Sequence, residues 1–176
     1  DEASDRVNAG MDIRKEYSIE TADGWQIIGA DDAIKTGDLV RVDLYLSLPT
    51  ARHFVVVDDP VPGGVEPVNR DLATTSEIDG AKGDFKAADG SFYYQYDDWE
   101  YGGYQGWHFY HQELRHDAAR FYADYLPAGN YHLSYMVQAI AAGRFKKQPV
   151  KAVEMYDADI YGLGLPGQLQ IMDAVQ

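Results

Sequence analysis

The 176 residues predict an all-β chain folded as an antiparallel sandwich, and three observations carry that expectation. Short runs of aliphatic, β-branched and tyrosyl residues alternate with polar ones, the period of a half-buried strand. Turn signals such as Asp23-Gly24 and Pro62-Gly63-Gly64 punctuate these runs. No stretch of about twelve residues sustains a helical stripe, so many short strands must close over one another in layers.

In chain order, residues 1–9 are polar and read as a linker or frayed end, leaving 10–176 as one domain. Met11 to Glu20 is extended, and Asp23-Gly24 turns it into Trp25 to Ile28 as a hairpin. Lys35-Thr36-Gly37-Asp38 is a turn that opens the clearest strand. There Val40, Val42, Leu44, Leu46 and Leu48 alternate with Arg41, Asp43, Tyr45 and Ser47, which puts the aliphatic set on one buried face. Pro49 ends it, because proline cannot donate to a ladder. His53 to Val57 is a second strand, stopped by Asp58-Asp59-Pro60, and Val65 to Asn69 follows the next turn.

Leu72 to Gly106 reads as a long loop holding a strand at Phe92 to Tyr96. Strands resume at Trp107 to Glu113, Ala118 to Tyr125 and Asn130 to Ile140. The last alternates Tyr131, Leu133, Tyr135, Val137 and Ala139 against His132, Ser134, Met136 and Gln138. Glu154 to Asp157 reads as one helical turn, and Gln168 to Met172 as a final strand.

The net charge of -14 repels phosphate backbones and anionic lipid, which argues against nucleic acid and membrane surfaces as partners. With no cysteine, disulfides, thiol nucleophiles and thiolate metal sites are excluded. No apolar run approaches the roughly 18 residues of a bilayer span. The start, Asp1-Glu2-Ala3-Ser4-Asp5, has no signal-peptide pattern and no initiating Met, so the chain reads as a fragment or a processed product with any export signal upstream.

Catalytic and metal sites have weak support. His108 and His111 stand three apart on an expected strand and so face opposite ways, and no ligand motif joins them, so no metal or other cofactor is expected. The pairs Asp31-Asp32, Asp58-Asp59 and Asp97-Asp98 offer the carboxylates of a small hydrolase, but neighbours on an extended chain diverge. Asp157-Ala158-Asp159 lacks the glycine and terminal glutamate of a calcium loop. The expectation is a chain without enzymatic activity of its own. A carbohydrate-binding module is the alternative, with Trp99, Tyr101, Tyr104 and Trp107 as an aromatic loop that stacks on sugars.

Three phrases in order resemble the C-terminal domain of bacterial alpha-2-macroglobulins. They are Lys35-Thr36-Gly37-Asp38-Leu39-Val40-Arg41-Val42 with His53 to Asn69, then Phe121-Tyr122-Ala123-Asp124-Tyr125-Leu126-Pro127-Ala128-Gly129-Asn130-Tyr131 running on to Phe145, then Pro149 to Asp157. The resemblance covers nearly everything from about Gly10. It implies a macroglobulin-like sandwich, immunoglobulin- or fibronectin-like in architecture, at the end of a long periplasmic proteinase inhibitor that is membrane-anchored through its N-terminus. It further implies docking on other domains of the same chain, contact with target proteinases through the full-length protein, and a link to a peptidoglycan-synthesis protein. In thioester-bearing members a loop of this domain shields the thioester from water. The matching positions here are Met155 and Tyr156, flanked by Glu154 and Asp157.

Overall fold

A computed structural model describes residues 6–68, 84–86, 92–95, 109 and 111–174, with backbone alone at 84–86, 92–95 and 111. Among these residues there is no helix; the chain is strands and turns. The first sheet orders β1 (Val7–Ala9), β15 (Asp157–Leu163), β14 (Lys151–Glu154), β6 (Arg52–Pro60), β11 (Ala118–Leu126) and β10 (His111–Leu114). The second orders β3 (Gly24–Ile27), β2 (Asp12–Thr21), β5 (Leu39–Leu48), β12 (Gly129–Ala139), β9 (Phe92–Gln95) and β8 (Asp84–Lys86), with β7 (Val65–Pro67) also on β12. A small third sheet joins β13 (Gly143–Lys147), β16 (Gly167–Met172) and β4 (Ala33–Lys35). The pairings are antiparallel except β12 with β9 and β16 with β4.

The core forms where the first two sheets face each other. Val40, Val42, Leu44, Leu46 and Leu48 of β5 are buried as the alternation requires, and β12 lays Tyr131, Leu133, Tyr135 and Val137 beside them. The facing sheet supplies Val55, Val57, Phe121, Ala123 and Ala152. Each such aliphatic side chain contributes roughly 1.5–3 kcal/mol by leaving water. The Tyr131 hydroxyl donates back to the Pro127 carbonyl and braces the β11–β12 turn.

The opposite face of β5 and β12 is not the wet surface that alternation suggests. Asp43, Tyr45, His132 and Met136 are all buried there. His132 Nε2 lies 2.7 Å from Asp43 Oδ1, Arg41 pairs with Asp43 Oδ2 at 2.9 Å, and the His132 ring stacks on Tyr45. Buried polar groups on a strand are tolerated when paired in this way.

Several boundaries differ from expectation. Glu154 to Asp157 is the two-residue turn of a hairpin, not a helical turn: Glu154 and Asp157 pair across β14 and β15, with Met155 and Tyr156 at the tip. The register shifts between Val153 and Glu154, just before that tip. Strand β6 runs through Asp58-Asp59 to Pro60 and stays paired with β11 to Ala118.

Strand β15 was hidden in the sequence by Asp157, Asp159 and Gly162, all poor strand formers. It forms because β14 and β1 pair with it on both edges. Gly162 is there for space: a Cβ would collide with the Met11 carbonyl oxygen. A backbone oxygen held by the β1–β2 crossing cannot step aside as a side chain can. Gly162→Ala should therefore lower stability by about 3 kcal/mol, read as a reduced urea midpoint, in the range for overpacked cores. An unchanged midpoint would show that β2 does not cross β15 this closely.

Candidate docking site

The site is built by four adjacent strands of the first sheet, β15, β14, β6 and β11. The tip of the β14–β15 hairpin carries Met155, 43% exposed, and Tyr156, 83% exposed. Beside it β6 presents Phe54 at 41% exposure, and beyond β6 the end of β11 presents Tyr125 at 42%. Four large apolar or aromatic side chains thus lie along neighbouring strands in the order β14–β15, β6, β11, none of them needed inside the sandwich. Exposed apolar groups scattered singly are ordinary, whereas a contiguous ribbon marks a contact surface.

Two ring contacts occur along these strands. Phe54 and Tyr156 meet edge-to-face with centroids 5.1 Å apart, and His53 packs on Tyr125 at 4.9 Å. The polar groups beneath are satisfied by the same strand. The Met155 amide donates to the Phe54 carbonyl at 2.8 Å, and the His53 amide donates to Glu154 Oε1 at 3.0 Å.

Phe54 adopts φ = +50°, the left-handed region that bulky side chains avoid. Such a residue costs of order 1–3 kcal/mol and persists because its surroundings hold it. Its effect on the strand is specific. Period two would send His53 inward with Val55 and Val57; instead His53 and Phe54 are both exposed while the two valines stay buried.

Of the residues singled out in the sequence, Glu154, Met155, Tyr156 and Asp157 come together at this tip. Trp99, Tyr101, Tyr104 and Trp107 lie outside the described residues, as do Asp97, Asp98 and His108. Sequence reasoning missed His53, Phe54 and Tyr125. Phe54 left a signal, since it falls out of phase with the buried valines of its strand; His53 left none.

The acidic pairs behave as turn and strand residues. Asp32 accepts the Gly29 amide within an exposed turn. Asp58 and Asp59 diverge: Asp58 faces out to Arg120 at 3.3 Å, while Asp59 points into the core. There Asp59 Oδ1 receives Lys15 Nζ and Oδ2 receives the Tyr135 hydroxyl, each at 2.7 Å, with Tyr17 packed nearby under Lys15. Burial pushes the Asp59 carboxyl above the usual carboxylate range, against the pull of Lys15 and Tyr135. Because Asp59 is 0% exposed, its oxygens are out of reach of a substrate, and this cluster joins the two sheets rather than opening a reaction site. Among the described residues, no three His, Asp or Glu side chains are grouped to hold a metal ion.

An antiparallel sandwich with its core between the first two sheets defines a macroglobulin-like domain. The model of the bacterial alpha-2-macroglobulin MG10 domain matches residues 10–159, and the chain belongs to that family. Among solved structures, a point mutant of Salmonella alpha-2-macroglobulin is 19% identical with a TM-score of 0.70, covering 97% of this chain and 10% of that one. Trypsin-activated alpha-2-macroglobulin from Escherichia coli is 17% identical with a TM-score of 0.70, over 94% of this chain and 10% of that one. A piece of the native Escherichia coli protein that runs to its C-terminus gives 20% identity and a TM-score of 0.67, over 97% and 25% of the respective chains. At these identities the likeness is one of fold. The chain spans about a tenth of the length of the first of these structures. No curated protein sequence matches it.

Proposed function

We infer that this chain is a non-catalytic docking module, the C-terminal one, of a bacterial alpha-2-macroglobulin, and that its hairpin tip closes over the thioester-type domain of the same polypeptide. The observation that carries this reading is Tyr156, left 83% exposed at the end of a hairpin whose amide and carboxylate groups are already satisfied by β6. A ring so placed adds almost nothing to its own core. Pressed against a neighbouring domain, the 83% exposed Tyr156 ring would release on the order of 1.5–3 kcal/mol of burial free energy, and Met155, 43% exposed, less than half as much. The same two side chains would keep water from an electrophile beneath them. Cleavage of the parent elsewhere would then shift the domains and lift the tip. The parent acts in this reading as a periplasmic proteinase inhibitor.

Hydrogen exchange across 154–157 tests docking. In the parent polypeptide these amides should exchange more slowly than in the 176-residue chain, and Met155→Ala with Tyr156→Ala should remove the difference. Methylamine uptake with thiol release tests shielding and should accelerate in the same double variant. Equal exchange in parent and chain would refute docking; protected amides with unchanged methylamine uptake would refute shielding alone.

A further inference from the structure

We propose that Phe54 is a positioning residue that sets the aim of the Tyr156 ring, and that its left-handed backbone exists to deliver that support. The inference rests on the docking reading above and names the residue that prepares the tip for it.

Three features converge on Phe54. Its ring meets Tyr156 edge-to-face at 5.1 Å, the favoured geometry for two aromatic quadrupoles. Its carbonyl accepts the Met155 amide at 2.8 Å, holding the first residue of the turn. Its φ of +50° rotates the strand so that His53 also faces out, where the His53 amide holds Glu154 Oε1 at 3.0 Å and its ring packs on Tyr125. Regular β geometry at Phe54 would return His53 to the inward set with Val55 and Val57.

A glycine would adopt this conformation without strain, and glycines occupy the other left-handed positions of the described chain. The phenylalanine is therefore explained by its ring. That ring is 41% exposed and lies outside the core cluster, and the ring it meets is Tyr156 at the hairpin tip. A Tyr156 ring held in one direction before contact loses less freedom on docking, which is how preorganisation raises affinity.

The test uses two readouts. In the 176-residue chain, the ring-proton shifts of Tyr156 report its packing on Phe54. Phe54→Ala and Phe54→Gly should both move them toward free-tyrosine values, and Phe54→Tyr should keep them in place. In the parent polypeptide, Phe54→Ala and Phe54→Gly should weaken exchange protection at 154–157 by roughly 2- to 10-fold, the worth of one aromatic pair. Phe54→Tyr should restore it, and neither loss should add to that of Tyr156→Ala. Phe54→Gly separates support from strain, since glycine relieves the backbone while deleting the ring. Unmoved Tyr156 shifts in Phe54→Ala, or full protection in Phe54→Gly, would overturn the proposal. Moved shifts with a wild-type parent whose tip is unprotected would instead overturn the docking function and leave the setting of the ring supported.

Discussion

Replacing Lys15 with Met should lower the stability of the domain by about 3–5 kcal/mol, the cost of leaving one member of a buried ion pair without its partner. Asp59 is the reason. It sits at 0% exposure between the sheets, with its two oxygens taken by Lys15 Nζ and the Tyr135 hydroxyl. The methionine fills most of the lysine volume, so the loss measured in urea reports charge rather than a cavity. Lys15→Met with Asp59→Asn should recover most of it, because an amide oxygen still accepts from Tyr135 and no charge remains. The pH dependence has a definite sign. Burial raises the folded carboxyl above its unfolded value, so the folded state holds the proton more tightly, and stability is lost as pH rises through the folded value. Deleting Lys15 removes the largest opposing influence and moves that loss further upward in pH. The deficit of Lys15→Met against the wild type should thus shrink in mild acid. A deficit that stays constant from neutral to acid pH would mean that Asp59 is not the group left stranded.

The parts of the structure legible in the sequence are those decided by local period. The strand from Leu39 to Leu48 announces itself because five aliphatic residues fall on one face, and its antiparallel partner β12 does the same with Tyr131 to Ala139. The tip residues Met155 and Tyr156 came from the family resemblance, and their local shape did not: four residues are too few to separate a helical turn from a hairpin tip. What decides that shape is the pairing of β14 with β6 and of β15 with β1, contacts made across the chain. The same holds for the covered outer face of β5, where Asp43 finds His132 only through the β5–β12 register. Phe54 marks a different limit. Positive φ is signalled by Gly, Asn or Asp; the phase of Phe54 marks it as outward-facing, but a phenylalanine betrays nothing of its left-handed backbone. Such departures from local preference are where function is expected to reside.

Alkaline unfolding should be steep, and tyrosine ionisation should drive it. Tyr17 and Tyr135 both sit in the core, and burial, then the charge of Asp59, pushes their hydroxyls well above the ordinary value of 10.0. Tyr45 is raised in the same direction by burial and by Asp43 and Glu16. In the unfolded chain these hydroxyls ionise near 10 while the folded chain keeps the protons. The contribution is therefore intact below that pH and is lost as pH rises above it. Each tyrosine costs about 1.4 kcal/mol per pH unit, so Tyr17 and Tyr135 together remove about 3 kcal/mol per unit. Against a total stability of about 5–15 kcal/mol, the fold cannot survive far into alkali. Phenolate absorbance from the buried rings should rise in step with the loss of β-sheet circular dichroism. Tyr17→Phe sharpens the test, because the buried Tyr17 hydroxyl has no hydrogen-bond partner among the described residues. That variant should gain roughly 1 kcal/mol at neutral pH, the relief of an unsatisfied polar group. It should also move the alkaline midpoint upward, with a shallower slope, since one titrating group has gone from the unfolded state. The same midpoint and slope as the wild type would show that the Tyr17 proton is already lost in the folded domain, and that the Lys15 and Lys147 ammonium groups above its ring hold a phenolate instead.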